Sequence, residues 1–551
     1  SPRSGTTVTI GDSGDTINIV GTLQNNGSEL TGDISSVVAG TGLSGGGTSG
    51  DVTLNVDLIS KQGGTNFTNS LLVGTSGTGT LDSADGNTGV GTSVLAALTS
   101  GDNNVAVGLC ALNANTTGLG NVAVGALSLD SNTTGVDNTG IGCGALTTNT
   151  TASANTALGR AALRLNTTGD DNVALGRNAM CSNTTASCNV AIGHEAMCTN
   201  TTGASNTAVG KSALRANTEG IQNVAVGSIS AVTNTTGCYN TALGHGSFYN
   251  NSTGDNNTAL GNFALNDNTT ADNNTSVGYF ALKANTTGAN NTAVGKIALC
   301  ANTTGSCNVA IGVEAMDSNT TGGGNVGIGT DSLQGNTTGS SNVSIGDDAM
   351  KTNSTASNNT AVGASALCTN STGTANNALG TEALKNNTAS YNTAVGTASM
   401  LSNTSGQENV AMGHDSLDAN TTGGCNTTSG VSSLGKNTTG GKGSAFGFKA
   451  LCANTTGNDN NAFGFEAGCN VTTGNGNVFV GSGTSASGAG DSNAIVIGNG
   501  TSKGGQTGFI NPDNGGVYQG NNSSSWSTTS DERIKKNITD NTIGLDKINQ
   551  I

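Results

Sequence analysis

The sequence is dominated by one glycine that recurs with a 17-residue period. The step from Gly91 to Gly108 repeats to Gly498, except that the step between Gly380 and Gly396 is one residue shorter. A unit this short cannot bury its own apolar residues, so its copies must stack on one another as a solenoid. The repeat therefore predicts an all-β parallel solenoid, or β-roll, of about 25 coils.

The composition excludes several other classes of chain. Aromatic residues make up 3% and charged residues 10% of the 551 residues, which is unusual for a set of globular domains. The regularly phased apolar residue argues against disorder. Collagen is excluded because glycine does not recur at every third position and the chain has only 2 prolines.

Comparing the copies with one another indicates what each position of a coil tolerates. The residue before the recurring glycine is apolar in nearly every copy, so we expect it to face a dry interior; examples are Val107, Leu158, Ile192, Met412 and Phe463. A few residues later comes a second apolar pair such as Ala111-Leu112, which we expect to form the opposite wall of the same core.

One coil should then consist of a strand, a glycine corner, a short second strand and a polar turn. Glycine suits a corner with positive φ, and the Asn-Thr-Thr-Gly segment has the composition of a turn. The single missing residue is placed in the turn from Asn387 to Tyr391.

The residue at the centre of each strand is small, usually alanine, as at Ala106 and Ala123. We interpret this as the surface where three coils meet, which predicts a homotrimeric fibre. The alternative is a monomeric solenoid stabilised by its strand ladders and by stacked asparagines.

The motifs Asn-Val-Ala-Val-Gly and Asn-Thr-Ala-Val-Gly at a short fixed period resemble the left-handed parallel β-roll heads of trimeric autotransporter adhesins. The resemblance covers residues 87–498. It implies a parallel β-roll within a trimer. The longer Asn-Thr-Thr-Gly turn departs from those repeats.

A second resemblance lies near the C-terminus, where Ser530-Asp-Glu-Arg-Ile-Lys535-Lys-Asn-Ile538 follows a Gly/Ser/Asn-rich segment. This string is similar to the opening of the self-cleaving intramolecular chaperone of phage tail fibres and tailspikes. The resemblance implies that Ser530 is a nucleophile acting with Lys535 to cut the bond before Ser530. That chaperone domain is much longer than the segment from Ser530 to Ile551, so we expect a truncated start without competent protease activity.

These features predict a division of the chain into five segments. They are β connector modules at 1–70, a linker at 71–86, the solenoid at 87–500, a second linker at 501–529 and the truncated chaperone start at 530–551.

The 12 cysteines suggest disulfides only in part. Cys181 with Cys188, and Cys300 with Cys307, flank the same turn and are spaced to bridge it. Pairs in adjacent coils, such as Cys181 with Cys198 and Cys452 with Cys469, also fall within disulfide range. The competing interpretation is that the cysteines are small residues that fill the coil.

The sequence predicts no metal site and no cofactor. His194, His245 and His414 all follow the corner glycine, but no two of them lie in adjacent coils, so they cannot bind one metal ion together. No Cys-x-x-Cys motif occurs. A polysaccharide depolymerase would need paired carboxylates in a groove, and no convincing pair is evident.

The Asn-Thr-Thr turns also match the N-glycosylation sequon, for example at Asn115, Asn132 and Asn149. In a secreted glycosylated product they would carry sugars. In a phage fibre the same residues would serve only as ladder and turn residues, which is the interpretation we favour.

The formal net charge of −16 argues against nucleic acid as a partner, and no apolar run is long enough to insert into a membrane. Together with the two resemblances, these features predict the shaft of a phage tail fibre or virion appendage. Its partners would be copies of itself, other virion tail proteins and a glycan or protein of the host cell surface. The alternative is a bacterial surface adhesin or extracellular filament, located at the cell surface instead of on the virion.

Overall fold

The computed structural model describes residues 65–74, 78–502, 504–505 and 507–510, together with the backbone of short strands outside these ranges. Every regular element in the described residues is a β-strand, which confirms the all-β prediction. The chain divides into two compact units, Ser1–Ala152 and Ser153–Ile551.

The described part of the first unit contains a series of short strands. They are β1 (Gln24–Asn25), β2 (Ser28–Glu29), β3 (Val37–Val38), β4 (Leu43–Gly47), β5 (Leu54–Val56), β6 (Ile59–Gln62), β7 (Leu71–Val73), β8 (Thr88–Val90), β9 (Val105–Val107), β10 (Val122–Val124) and β11 (Thr139–Ile141).

The second unit continues the same series of strands. They are β12 (Thr156–Leu158), β13 (Val173–Leu175), β14 (Val190–Ile192), β15 (Thr207–Val209), β16 (Val224–Val226), β17 (Thr241–Leu243), β18 (Thr258–Leu260), β19 (Thr275–Val277), β20 (Thr292–Val294), β21 (Val309–Ile311), β22 (Val326–Ile328), β23 (Val343–Ile345), β24 (Thr360–Val362), β25 (Asn377–Leu379), β26 (Thr393–Val395), β27 (Val410–Met412), β28 (Thr427–Ser429), β29 (Ser444–Phe446), β30 (Asn461–Phe463), β31 (Val478–Val480), β32 (Ile495–Gly498), β33 (Gly508–Asn511), β34 (Val517–Gln519) and β35 (Ser527–Thr528).

Both units contain a parallel ladder in which each strand pairs with the strand one coil away. In the first unit Val122 pairs with Val105, and β7 already joins the ladder through Leu71 and Thr88. In the second unit the ladder runs from β12 to β32 without a break in register. The parallel β-solenoid with a 17-residue repeat is therefore confirmed.

The corner after each strand requires glycine because neighbouring coils approach very closely there. Gly108 has a φ of 130°, and a Cβ added to it would lie 2.6 Å from the carbonyl oxygen of Gly125. No side chain could fit at that distance, so the backbone spacing of the ladder fixes the glycine period.

The second strand expected after the corner does not form in the described coils. This segment is a turn in which alternate residues adopt the left-handed conformation, as at Cys110 (φ 53°) and Leu112 (φ 50°). Its backbone still bonds between coils, because the amide of Leu112 donates to the carbonyl of Ser128 at 3.1 Å. The prediction of a second strand was wrong because so short a repeat must close a complete circuit, which demands tight turning here.

The core of each coil is narrower than expected. The small central strand residue is fully buried, as at Ala106 and Ala123, and it packs opposite the buried Leu or Met of the turn segment, as at Leu112. The second apolar site was therefore placed correctly. The residue before the corner glycine points outwards, and its predicted place in the interior was wrong: Leu158 is 42% and Leu379 51% exposed.

The shortened coil keeps its strand in register. Asn377 pairs with Thr393 although the repeat between them lacks one residue, and Asn387 donates to the carbonyl of Ala389, two positions on. In ordinary coils the same asparagine reaches the residue three positions on, as Asn370 does to Gly373. The deletion therefore lies in the predicted turn.

Candidate interaction surface

The outward side of the strands forms the candidate functional surface of this protein. Successive side chains of a strand point to opposite faces, so the buried central residue places both of its neighbours outside. We call the side chains of the residue before each corner glycine the outer face. In Ser153–Ile551 the clearly exposed members are Leu158, Leu175, Leu243, Ile311, Ile345, Leu379, Met412, Phe446, Phe463, Val480 and Ile497.

The outer face is apolar in almost every coil, including those where the side chain is only half exposed, such as Val209 and Ile328. Towards the C-terminal end it becomes aromatic, and the rings of Phe446 and Phe463 stack 5.1 Å apart. Soluble monomers rarely expose a continuous apolar strip, so such a strip marks an interaction site. The first unit carries the same feature at Val90 and Ile141.

Two buried ladders of asparagine lie behind this surface. The strand ladder consists of the asparagine directly before each strand. The backbone amide nitrogen of Asn121 donates to Oδ1 of Asn104 at 3.0 Å. The turn ladder consists of the first residue of each Asn-Thr-Thr segment; Nδ2 of Asn132 donates to Oδ1 of Asn115 at 2.8 Å. The buried asparagine amides are thus hydrogen-bonded along the ladders, and the exception among the described residues is Nδ2 of Asn274, which has no partner.

The predicted glycosylation residues Asn115, Asn132 and Asn149 belong to the turn ladder and are fully buried. Nδ2 of Asn149 donates to Oδ1 of Asn132 at 2.9 Å and to the carbonyl of Ala152 at 3.0 Å. A transferase has no access to these nitrogens in the folded coil. Their glycosylation stays a prediction, and it would require modification before the coil closes.

All twelve cysteines lie in the described region and are free thiols. Cys181 contacts its neighbour in the next coil, Cys198, with the two sulfur atoms 2.9 Å apart. The hydrogen bond between the two thiols lowers the pKa of Cys181 to about 6 and raises the pKa of Cys198.

The other cysteines of the predicted bridges occupy two environments. Cys188 and Cys307 are exposed, whereas Cys300 is half-buried. Burial raises the pKa of the Cys300 thiol. The bridges from Cys181 to Cys188 and from Cys300 to Cys307 stay predictions.

The three histidines are in separate surroundings. His194 lies 3.8 Å from Glu195, His414 lies 2.9 Å from Asp415, and His245 packs edge-on against Phe263. Among the residues that the structure describes, no three His, Cys, Asp or Glu side chains come together as metal ligands would. Ser530 and Lys535 lie outside the described residues.

None of the residues covered by the structure forms a helix with the length and apolar character needed to cross a bilayer.

The outer face was missed by sequence reasoning, although a signal for it was present. The central strand position accepts only small residues in most coils, including Gly327 and Ser276. A position that accepts only small residues in most coils is the one that faces a narrow core. The larger residues on either side of it in the strand must then point outwards.

The ladders and the outer face define the class: this is a parallel β-solenoid protein of 17-residue coils, which fits a fibre-like structural or adhesive role. No protein-family model, curated protein or solved structure matches the chain.

Proposed function

We propose that this chain forms the shaft of a phage tail fibre or related virion appendage, assembles as a homotrimer, and presents surfaces that bind the host cell. The observation that carries the proposal is the outer face, which places one apolar side chain on the surface in almost every coil. A fibre shaft needs lateral association along its whole length, and this face offers it.

The partner best suited to the outer face is another copy of the chain. Apolar side chains recur at the ladder spacing of about 4.8 Å, and a parallel copy in register presents the same spacing. A globular partner has no such period. Closing three copies around an axis would cover the face completely and leave no open end for further lateral growth.

The free energy gained by burying the outer face is large enough to offset the cost of association. Covering a half-exposed Leu, Ile or Phe contributes about 1 kcal/mol. Over the 11 clearly exposed members of the outer face in Ser153–Ile551 this amounts to roughly 11 kcal/mol per chain, which is comparable with the association cost of about 4–15 kcal/mol.

The virion assignment rests on the resemblance of the segment around Ser530 and Lys535 to the tail-fibre chaperone. Self-cleavage before Ser530 would be the only chemistry, so we propose a structural and adhesive protein without enzymatic turnover. Its other partners would be virion tail proteins and a host surface glycan or protein.

Gold-antibody labelling of the chain in native culture fluid, viewed by electron microscopy, tests the location. We expect gold particles on the tail appendages of virions. Label on bacterial envelopes or on free filaments would contradict the virion assignment and favour a surface adhesin or extracellular filament.

A further inference from the structure

One coil of the second unit lacks a side chain that every neighbouring coil has. The residue after the buried Leu or Met of the turn segment carries a side chain in each coil from Arg164 to Cys469, except at Gly435. Asp418 and Cys452 occupy the same position in the coils on either side. The missing side chain leaves a gap between them.

The gap opens into a cavity of 340 Å³ lined by residues from three consecutive coils. On one side is the row Asp418, Gly435 and Cys452; Lys436 borders the gap as well. On the other side is a second row, Asp415, Ser432 and Lys449, each with left-handed backbone. The volume lies at the lower end of the range of about 300–1,000 Å³ typical of small-molecule sites.

The charges of the cavity are balanced and available to a ligand. Asp415 and Asp418 supply two carboxylates, while Lys436 and Lys449 supply two ammonium groups. Of these four, only Asp415 has a basic side chain within 4 Å among the described residues, with Nδ1 of His414 at 2.9 Å. Burial, and then the nearby Asp415, raises the pKa of Asp418.

Balanced charge disfavours a phosphate or a metal ion, because each would meet a group of its own sign. A hydroxyl group suits the cavity, since it donates to a carboxylate and accepts from an ammonium group at once. Several hydroxyls on one rigid ring would match several of these groups together.

An apolar strip begins in two of the coils that line the cavity and continues into the next coil. It consists of the residues that follow three successive corner glycines, Val431, Phe448 and Phe465, and all three are exposed. The rings of Phe448 and Phe465 stack 5.3 Å apart, and Nζ of Lys449 lies 5.2 Å from the centre of the Phe448 ring. Lys449 therefore connects the polar cavity to the aromatic strip.

We infer that the cavity at Gly435 binds a neutral pyranose of a cell-surface glycan, with hydroxyls towards the two charged rows and an apolar C–H face towards the Phe448–Phe465 strip. The inference deepens the proposed host-binding role and rests on it. One such site per chain gives three in a trimer, so a weak single contact would be multiplied by effective concentration.

Saturation-transfer NMR on the full chain tests the site, with the methyl glycosides of glucose, galactose, mannose and N-acetylglucosamine as probes. We expect transfer to at least one of them, with a dissociation constant of about 1 mM, corresponding to about −4 kcal/mol. Sialic acid serves as a charged probe and should show no transfer from this site. Inorganic phosphate has no C–H protons to observe, so it serves as a competitor and should not reduce the transfer to the glycosides.

The decisive variant is Gly435→Asn, which fills the gap. Asn266 occupies the corresponding position in another coil, and the φ of Gly435 is not in the left-handed range, so folding should be preserved. A Cβ here would lie 3.2 Å from the carbonyl oxygen of Ser432 and 3.3 Å from Oδ1 of Asp418, so these groups would have to move by a few tenths of an ångström. We expect loss of transfer in this variant and a several-fold weakening in Phe448→Ala.

Gly490→Asn is the matched control, because a Cβ there meets only Oγ1 of Thr473, at 3.6 Å. It should bind as the unaltered chain does. Absence of transfer to all four glycosides, equal transfer in Gly435→Asn, or binding restricted to a charged probe would overturn the inference. Gold label on virions together with any of these results would leave the proposed location standing and remove only this site.

Discussion

Asparagine is used in this fold as an interior residue. In the turn ladder the side-chain amide of one coil donates to the same amide one coil away and accepts from the coil on the other side. In the strand ladder the backbone amide of each asparagine donates to the side-chain oxygen of the asparagine one coil away. Aspartate of similar shape could only accept when ionised, and leucine could do neither. The ladders thereby satisfy buried polar groups in coils whose apolar core is only an alanine and one larger side chain wide.

Asn234→Ala tests the ladder at a single residue. Nδ2 of Asn234 donates to Oδ1 of Asn217 at 3.0 Å, and its own Oδ1 accepts from Asn251 at 2.7 Å. Truncation removes three buried hydrogen bonds, including one from Nδ2 of Asn234 to the carbonyl of Gly237 at 2.9 Å, and it takes the donor from Oδ1 of Asn217. A buried polar group left unsatisfied costs about 1–3 kcal/mol. We expect amide hydrogen exchange in the adjoining coils to accelerate at least roughly tenfold.

Asn250→Ala is the control, because the Asn250 side chain is exposed and bonds only to Asp267 in the described structure. Exchange should be nearly unchanged in this variant. Equal acceleration in both variants would show that the ladder contributes nothing beyond a surface hydrogen bond.

The sequence shows clearly which residues repeat, but it does not show in which direction their side chains point. The Asn-Thr-Thr turn was predicted correctly, but the sequon at Asn115 gives no sign that its amide lies inside the coil. That orientation depends on the neighbouring coil, which supplies the bond from Asn132. A local motif cannot contain this information.

At the level of the element, the sequence located each strand but did not show which of its side chains face the core. Its position and its parallel pairing followed from the period alone. The prediction of which strand residues face the core was wrong. Large apolar residues such as Val107 were expected to be buried, and Ala106 was expected to contact other chains of a trimer. The interior of so short a circuit is too narrow for a large residue on both walls, so alanine takes the strand side.

The paired thiols of adjacent turn segments give a prediction on pH. Because the Cys181 and Cys198 thiols are hydrogen-bonded to each other, the pKa of Cys181 falls to about 6. Alkylation by iodoacetamide requires the thiolate. We expect its rate at Cys181, followed by peptide mass spectrometry, to be half-maximal near pH 6 and nearly constant above pH 7.

Cys300 is an internal control, because burial raises its pKa and its labelling should increase only at higher pH. Replacing Cys198 by Ala removes the hydrogen bond and should move the Cys181 profile upwards. If Cys181 in the unaltered chain followed the profile of an ordinary thiol, the contact with Cys198 would be contradicted.

At the scale of the whole molecule, the proposed trimer depends on the outer face. The triple variant Leu243→Asp, Ile311→Asp and Leu379→Asp places three carboxylates on that face, where side chains are 45%, 39% and 51% exposed. We expect each chain to stay folded, because these side chains are outside the coil. Light scattering after size-exclusion chromatography should show monomers in place of trimers.

The matched control changes three exposed apolar residues outside the outer face, Leu165, Tyr239 and Tyr391, to aspartate. This variant should remain trimeric. Ala242→Asp alters the core instead, since Ala242 is 1% exposed, and circular dichroism should show a loss of structure. A triple outer-face variant that still ran as a trimer would contradict the assignment of this face.

The shortened coil between Gly380 and Gly396 shows which segment of the repeat can vary in length. Its strand keeps register with both neighbours, while the turn absorbs the lost residue. The strand segment of the repeat therefore has a fixed number of residues, whereas the Asn-Thr-Thr turn can lose a residue. A lineage of such chains could gain or lose whole coils by recombination between repeats, and could host foreign peptides at the loops, without redesigning any other coil.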